Sequence, residues 1–355
     1  MVSMRNAPSR TTAAGNATYA SERMSPAAGY LEVCTSSRLH FGLWTLSRQA
    51  ARRYGGVGAM VTQPRLRLRL EPAAGFGVAG LLADRVGEAA CRWSRFYGRP
   101  LPDCRLRLLE APALHVGLGV GTQLALATAR LLHAWWNEPL PPPPVLARSV
   151  GRGRRSAVGV YGFLGGGLIV ESGKSPGEWL SPLEARVFLP DSWRFLLVRP
   201  RCERGLCGSD EEEALARCAE RGDELAGALA ETARTSLLPA ARDGNFAAFA
   251  QALARYSALA GDCFRFVQGG RYGSEVIRRL VHWLEHQQVP AFGQSSWGPT
   301  LFVLMPDQHS AESLAQTIRE ELPHESLELV ITAPANKEAQ LLSAGKPSAD
   351  DCNEP

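Results

Sequence analysis

Ala113-Leu-His-Val-Gly-Leu-Gly-Val-Gly-Thr-Gln-Leu-Ala-Leu-Ala-Thr-Ala-Arg-Leu-Leu-His133 runs a glycine-rich turn straight into an alanine-rich segment, with apolar residues at Leu124, Ala127, Leu131 and Ala134. That spacing returns apolar side chains to one face of a helix. Glycines let the backbone approach an anion with several N–H groups aimed at it, and the helix start adds its positive end. The run fits neither common phosphate loop. Its third glycine comes too early for the dinucleotide fingerprint, and no Gly-Lys-Ser/Thr follows for a Walker loop. Gly117, Leu118, Gly119, Val120, Gly121 and Thr122, with His115 just ahead, are therefore candidate phosphate binders; otherwise the run is simply a tight turn.

Two further glycine-rich segments lie downstream. Gly151-Arg-Gly-Arg-Arg-Ser-Ala-Val-Gly-Val-Tyr-Gly-Phe-Leu-Gly-Gly-Gly167 sets Arg152, Arg154 and Arg155 among glycines. These arginines make either a phosphate clamp or a solvated turn. Ala291-Phe-Gly-Gln-Ser-Ser-Trp-Gly-Pro-Thr300 offers hydroxyls and glycines at the entrance to a strand. Apolar and alternating patterns predict strands at 30–38, 65–70, 104–109, 168–171, 195–198, 301–305 and 327–332. The arginines of Arg65-Leu-Arg-Leu-Arg-Leu70 read as the wet face of such a strand, Leu39-His-Phe-Gly42 as a turn, and Gly55-Gly-Val-Gly58 as a tight bend. Helical patterns cover 81–97, 245–260, 274–287 and 311–321, resume at 145–150 after the proline tract 139–144, and open at Asp210-Glu-Glu-Glu213, where acids suit a first turn better than a metal site.

At 355 residues, the chain has a soft prior of about two domains, and 45% apolar residues are enough to fill a substantial core. The net charge of +4 is too small to argue for nucleic acid. The basic residues are nearly all arginine, with lysine only at Lys174, Lys337 and Lys346, which suits a compact anion. No apolar run is long enough to span a membrane. Residues 1–28 read as a disordered leader rather than a secretory signal, with Met4 and Met24 as alternative starts, and the tail 346–355 as mobile. The cysteines show no CxxC and no zinc spacing; Cys202 and Cys207 flank a loop and are expected to be free thiols, with the cytosol as the default address.

Five blocks in order, Ser37-Arg-Leu-His-Phe-Gly-Leu43, Gly55-Gly-Val-Gly58, His115-Val-Gly-Leu-Gly-Val-Gly-Thr-Gln-Leu124, Gly151-Arg-Gly-Arg-Arg-Ser-Ala157 and Phe292-Gly-Gln-Ser-Ser-Trp-Gly-Pro-Thr300, resemble the GHMP kinase superfamily. Within it they most resemble the β-ribofuranosylaminobenzene 5′-phosphate synthases. The resemblance runs from about 30 to 344. It implies an α+β, GHMP-kinase-like two-domain fold, with a ribosomal protein S5 domain 2-like N-terminal domain (29–190) and a C-terminal α/β sandwich domain (191–345), and a site between them. It also implies a reaction. Phosphoribosyl pyrophosphate (PRPP) meets 4-aminobenzoate or 4-hydroxybenzoate, the ring carbon bearing the carboxylate attacks the anomeric carbon, and pyrophosphate and then carbon dioxide leave. The reaction is an early step toward tetrahydromethanopterin. The resemblance further implies Mg²⁺ for the departing pyrophosphate and a homodimer.

Three departures separate the chain from the family's pattern. GHMP kinases with a catalytic base place an aspartate just after the second block, whereas Ser156-Ala-Val-Gly-Val-Tyr-Gly162 has no acid. A carbon nucleophile needs no hydroxyl proton removed, so the lack favours the synthase over an ATP-dependent small-molecule kinase; a non-catalytic phosphate-binding relative is the third class. Val120 also replaces a serine of the cradle, and the Cys202–Cys207 loop is longer than is usual in the family. Under the synthase reading, Arg38 and His40 are the catalytic candidates. Gln294, Ser295, Ser296 and Trp297 would frame the aryl acid, with Trp297 equally suited to the core. No dense Asp/Glu motif marks metal ligands.

Overall fold

The computed structural model describes residues 29–344, apart from 48, 202, 204, 206, 207 and 221–223. The predicted leader, the tail, and Cys202 and Cys207 lie outside the described residues; Cys34, Cys91, Cys104, Cys218 and Cys263 are free thiols.

Strands β1 (Tyr30–Trp44), β2 (Gly55–Pro72), β3 (Gly77–Gly80) and β4 (Cys104–Glu110) build the first sheet with β5 (Leu168–Glu171), β6 (Leu183–Val187) and β11 (Gln340–Ala344). Its order is β11-β1-β2-β4-β3, with β5 pairing β2 and β6 pairing β5. The second sheet has the order β10-β7-β9-β8, from β7 (Arg194–Pro200), β8 (Phe292–Gln294), β9 (Leu301–Met305) and β10 (Leu327–Thr332). The last described strand, β11, thus returns to the first sheet; it is short and has no clear period in the sequence. Phe41 of β1 packs on Phe302 of β9 and Phe195 of β7, with ring centroids at 4.9 and 6.4 Å, and so joins the two sheets.

The helices are α1 (Ala83–Tyr97), α2 (Val120–Trp135), α3 (Pro143–Ser149), α4 (Val158–Gly165), α5 (Gly208–Glu220), α6 (Ala226–Thr232), α7 (Leu238–Arg242), α8 (Phe246–Gln268), α9 (Glu275–His286) and α10 (Gln308–Glu321), with a π-helical turn at Ala233–Leu237 between α6 and α7. Asn245, Ser274 and Asp307 cap α8, α9 and α10 by accepting backbone N–H bonds.

Three local expectations change. Leu39–Gly42 is no turn: β1 runs through it to Trp44, absorbing irregularities between Thr35 and Ser37 and between His40 and Gly42. Leu39 and Phe41 are fully buried, so continuing the strand buries apolar surface that a turn would expose. Gly55–Gly58 is likewise no bend but the start of β2. A Cβ at Gly58 would overlap the Leu39 carbonyl and lie 2.8 Å from Val158, so the glycine serves close packing of strand and helix. The arginines of β2 are more than a wet face. Arg67 and Arg69 both grip Glu32 of β1, which is only 2% exposed. Burial pushes the Glu32 carboxyl up, but the two guanidinium groups overcome it and hold the carboxyl below its ordinary value.

Candidate active site

Helix α2 begins at Gly119, whose φ of +72° favours glycine, and no side chain caps it. The Thr122 and Gln123 amides return to the Gly119 carbonyl at 3.0 and 3.2 Å. The Val120 and Gly121 amides lie earlier in that turn, where a helix has no carbonyl of its own to offer. Around this start, the Arg38 backbone N–H donates to the Leu118 carbonyl at 3.0 Å, and the Arg152 guanidinium reaches 3.4 Å from where a Gly121 Cβ would stand. Burial, then the neighbouring Arg92 and Arg85, push the Arg152 pKa down, and its Nε is buried without a hydrogen-bond partner. A buried, crowded cation at a helix start suits an anion.

The segment around 293–300 locks this loop. Ser295 Oγ donates to the Gly117 carbonyl at 2.7 Å and accepts from the His40 N–H at 3.0 Å. Ser296 N–H donates to the His40 carbonyl at 3.1 Å, and Thr300 Oγ1 donates to the Val116 carbonyl at 2.5 Å. A Cβ on Gly298 would overlap the Val116–Gly117 peptide. His115 accepts on its carbonyl from the Gly205 N–H at 2.6 Å.

These elements line a partly open cavity of about 550 Å³. Arg38, His40, His115, Gly117, Leu118, Gly119, Val120, Gly121, Thr122, Arg152, Arg154, Arg155, Gln294, Ser296 and Trp297 all line it. Ser295 does not; it is fully buried beneath the wall with its hydroxyl engaged on both sides. Two groups stand out in the lining, alongside polar residues such as Ser257, Gln268, Arg271 and Gln294. One is cationic: the glycine loop with Arg38, Arg85, Arg152, Arg154 and Arg155, the last paired with Glu212 of α5 at 3.4 Å. The other is apolar, where Leu43, Leu215, Phe264 and Trp297 belong to one cluster and the rings of Phe264 and Trp297 sit 4.5 Å apart. Phe264 and Leu215 were not apparent from the sequence. The sequence pattern predicts a helix ending at 260, whereas α8 continues to Gln268 and presents Ser257, Ala260, Gly261, Phe264 and Gln268 to the cavity at helical spacing.

The sequence also concealed a buried acid. The stretch after the second glycine segment has none of its own, but β5 brings Glu171 to it from the adjoining sheet. Ser156 Oγ donates to Glu171 Oε1 at 2.7 Å, Ala157 N–H donates to Oε2 at 2.6 Å, and His40 Nε2 stands 3.0 Å from Ser156 Oγ. Glu171 is wholly buried, and burial pushes its carboxyl up to about 7 against the hydrogen bonds that favour the ionised form. Burial and then Arg38 hold the His40 imidazole well below its ordinary pKa, so it is neutral. Among the described residues, no group of three or more His, Cys, Asp or Glu side chains could hold a metal ion. No described helix is long and apolar enough to cross a membrane.

No protein-family model matches the chain. It is 28% identical to the β-ribofuranosylphenol 5′-phosphate synthase of Methanothermobacter thermautotrophicus over 294 residues, covering 77% of this chain and 88% of the relative. It is 26% identical to the protein of the same name from Archaeoglobus fulgidus, covering 88% and 99%. Among solved structures, a homoserine kinase from Cytophaga hutchinsonii superposes with a TM-score of 0.61 at 14% identity, covering 90% of this chain and 99% of that one. A mevalonate pyrophosphate decarboxylase from Streptococcus pyogenes gives 0.62 at 11%, covering 89% and 99%. The chain therefore has the α+β GHMP kinase fold and is similar, over most of its length, to the β-ribofuranosylphenol 5′-phosphate synthases.

Proposed function

We propose that the protein is a pentosyl-transferring, decarboxylating synthase that joins PRPP to 4-hydroxybenzoate or 4-aminobenzoate, releasing pyrophosphate and carbon dioxide. The observation that carries this reading is the cavity lining, which combines a cationic glycine cradle with the Phe264–Trp297 aromatic pair. A small-molecule kinase needs the first; a reaction between a sugar diphosphate and a benzoate needs both. The relatives' printed name points to a phenol product.

In this reading the α2 start, Arg38 and Arg152 hold the diphosphate as negative charge develops on it, a preorganised arrangement that needs no reorganisation during reaction. Arg154 and Arg155 complete the clamp. Phe264 and Trp297 stack the aryl ring, and Gln294 and Ser296 border it. Mg²⁺ would enter as the magnesium complex of PRPP, where it neutralises leaving-group charge. A cytoplasmic homodimer acting early in tetrahydromethanopterin synthesis is the matching cellular setting.

The test is to incubate purified protein with Mg²⁺, PRPP and each aryl acid while following pyrophosphate and CO₂. Release of both, dependent on both substrates, is expected. ADP formed from ATP with a metabolite panel, and no PRPP turnover, would mark a kinase. PRPP binding without turnover with any aryl acid would mark a ligand-binding relative.

A further inference from the structure

We propose that His40, Ser156 and Glu171 form a proton-holding chain that suits the site to a para-hydroxylated aryl acid: His40 takes the ring hydroxyl proton as the ring carbon attacks and returns it after carbon dioxide leaves. The inference rests on the synthase reading and deepens it by choosing between the two aryl acids.

The hydrogen bonds determine the tautomer. Ala157 N–H points at Glu171 Oε2, and the Ser156 hydroxyl donates its proton to Oε1. Ser156 Oγ also accepts from Val158 N–H at 3.2 Å. While Glu171 is ionised, the Ser156 proton is committed to it, so Ser156 can only accept from His40, Nε2 carries the hydrogen and Nδ1 keeps a lone pair; once Glu171 holds a proton, below about 7, that direction is no longer fixed. The main chain of His40 is clamped on both sides by Ser295 and Ser296, and the residue lines the cavity. His40 is thus the catalytic residue, and Ser156 and Glu171 are positioning residues behind it. The buried acid near neutrality can accept the proton that the imidazole passes through Ser156. The charged and titratable groups that act on Glu171 through charge are Arg38 of β1, Tyr161 of α4, Lys174 just after β5 and Tyr256 of α8; Arg38 also acts on His40.

The step balances. The ring carbon bearing the carboxylate forms a bond to the anomeric carbon, and the anomeric C–O bond breaks with its electron pair leaving on pyrophosphate. The para hydroxyl proton passes to His40, leaving a neutral dienone that still carries the carboxylate. The C–CO₂ bond then breaks, its electron pair restores the aromatic ring as a phenolate, and the proton returns to give the phenol. An amino group would hold the developing charge as an iminium ion and needs no proton removed before CO₂ departs. A neutral imidazole backed by a buried acid therefore serves the hydroxyl substrate specifically.

The test compares wild type, Glu171→Gln and Ser156→Ala. In Glu171→Gln the Ala157 N–H holds the amide oxygen, so the amide NH₂ faces Ser156 and turns its hydroxyl proton toward His40. At a pH well above the Glu171 value of about 7, the ¹⁵N spectrum of the ligand-free protein should show His40 as Nε2–H in wild type and Nδ1–H in the variant. Turnover of 4-hydroxybenzoate should fall by about 10²-fold or more with an unchanged KM for PRPP, and the pH profile of kcat should lose its limb near neutrality. Turnover of 4-aminobenzoate should fall far less. Ser156→Ala cuts the chain without adding an amide and should give the same kinetic contrast. An unchanged tautomer, equal losses on both acids, or a wild type that prefers 4-aminobenzoate would each overturn the inference while leaving the synthase reading standing. A wild type releasing neither pyrophosphate nor CO₂ would overturn both.

Discussion

Replacing Glu171 with glutamine should change how stability depends on pH, independently of any activity. The carboxyl lies at 4.5 in an open chain and at about 7 in the fold, where it is wholly buried. Between those two values the folded protein holds a proton that the unfolded chain has released, so wild-type stability falls as pH rises through the window. At about 1.4 kcal/mol per pH unit, the whole effect is ~3 kcal/mol. Glutamine cannot ionise and lacks this slope, so the variant should gain ~3 kcal/mol relative to wild type between about pH 4 and about pH 8. Glu32 contributes in the opposite sense: its depressed carboxyl adds stability that is lost as pH falls, but it is common to both proteins and cancels in the difference. Urea denaturation at a series of pH values reads the difference directly. A difference that stays flat across the window, or that favours wild type as pH rises, would refute the assignment of Glu171 as a buried acid titrating near neutrality.

Other outcomes follow from the same geometry. Gly119→Asp sets a carboxylate at the α2 start and a side chain at φ +72°, and should abolish PRPP binding by calorimetry; unchanged affinity would remove the loop from the site. Arg152→Ala removes a guanidinium crowded by Arg92 and Arg85, so it should weaken PRPP by about 1.5–3 kcal/mol, roughly ten- to hundredfold, without lowering the melting temperature; a drop in both would mean the arginine supports the fold rather than an anion. Phe264→Ala should raise KM for the aryl acid and leave PRPP binding in place, whereas an equal rise for both substrates would place the ring outside the aryl subsite.

Much of this protein is legible in its residue order because local physics decides it. The glycine run before an alanine-rich segment specifies a loop entering a helix, Asn245 and Ser274 announce helix starts, and alternation marks β2 and β4. The three glycine-rich segments were recognisable as parts of one site because each carries its own composition. What the residue order left open depends on partners far along the chain. Whether Leu39–Gly42 turns or extends rests on Phe41 meeting Phe302 and Phe195, and whether Gly58 bends rests on Leu39 and Val158 crowding it. The acid behind the second glycine segment was invisible, since Glu171 ends an apolar strand and meets Ser156 only when β5 pairs with β2. Sequence order thus settled which backbone conformations are available, through propensity and period; only packing decided which side chains lost their water, and it is that loss which gives Glu171 and His40 their shifted proton affinities.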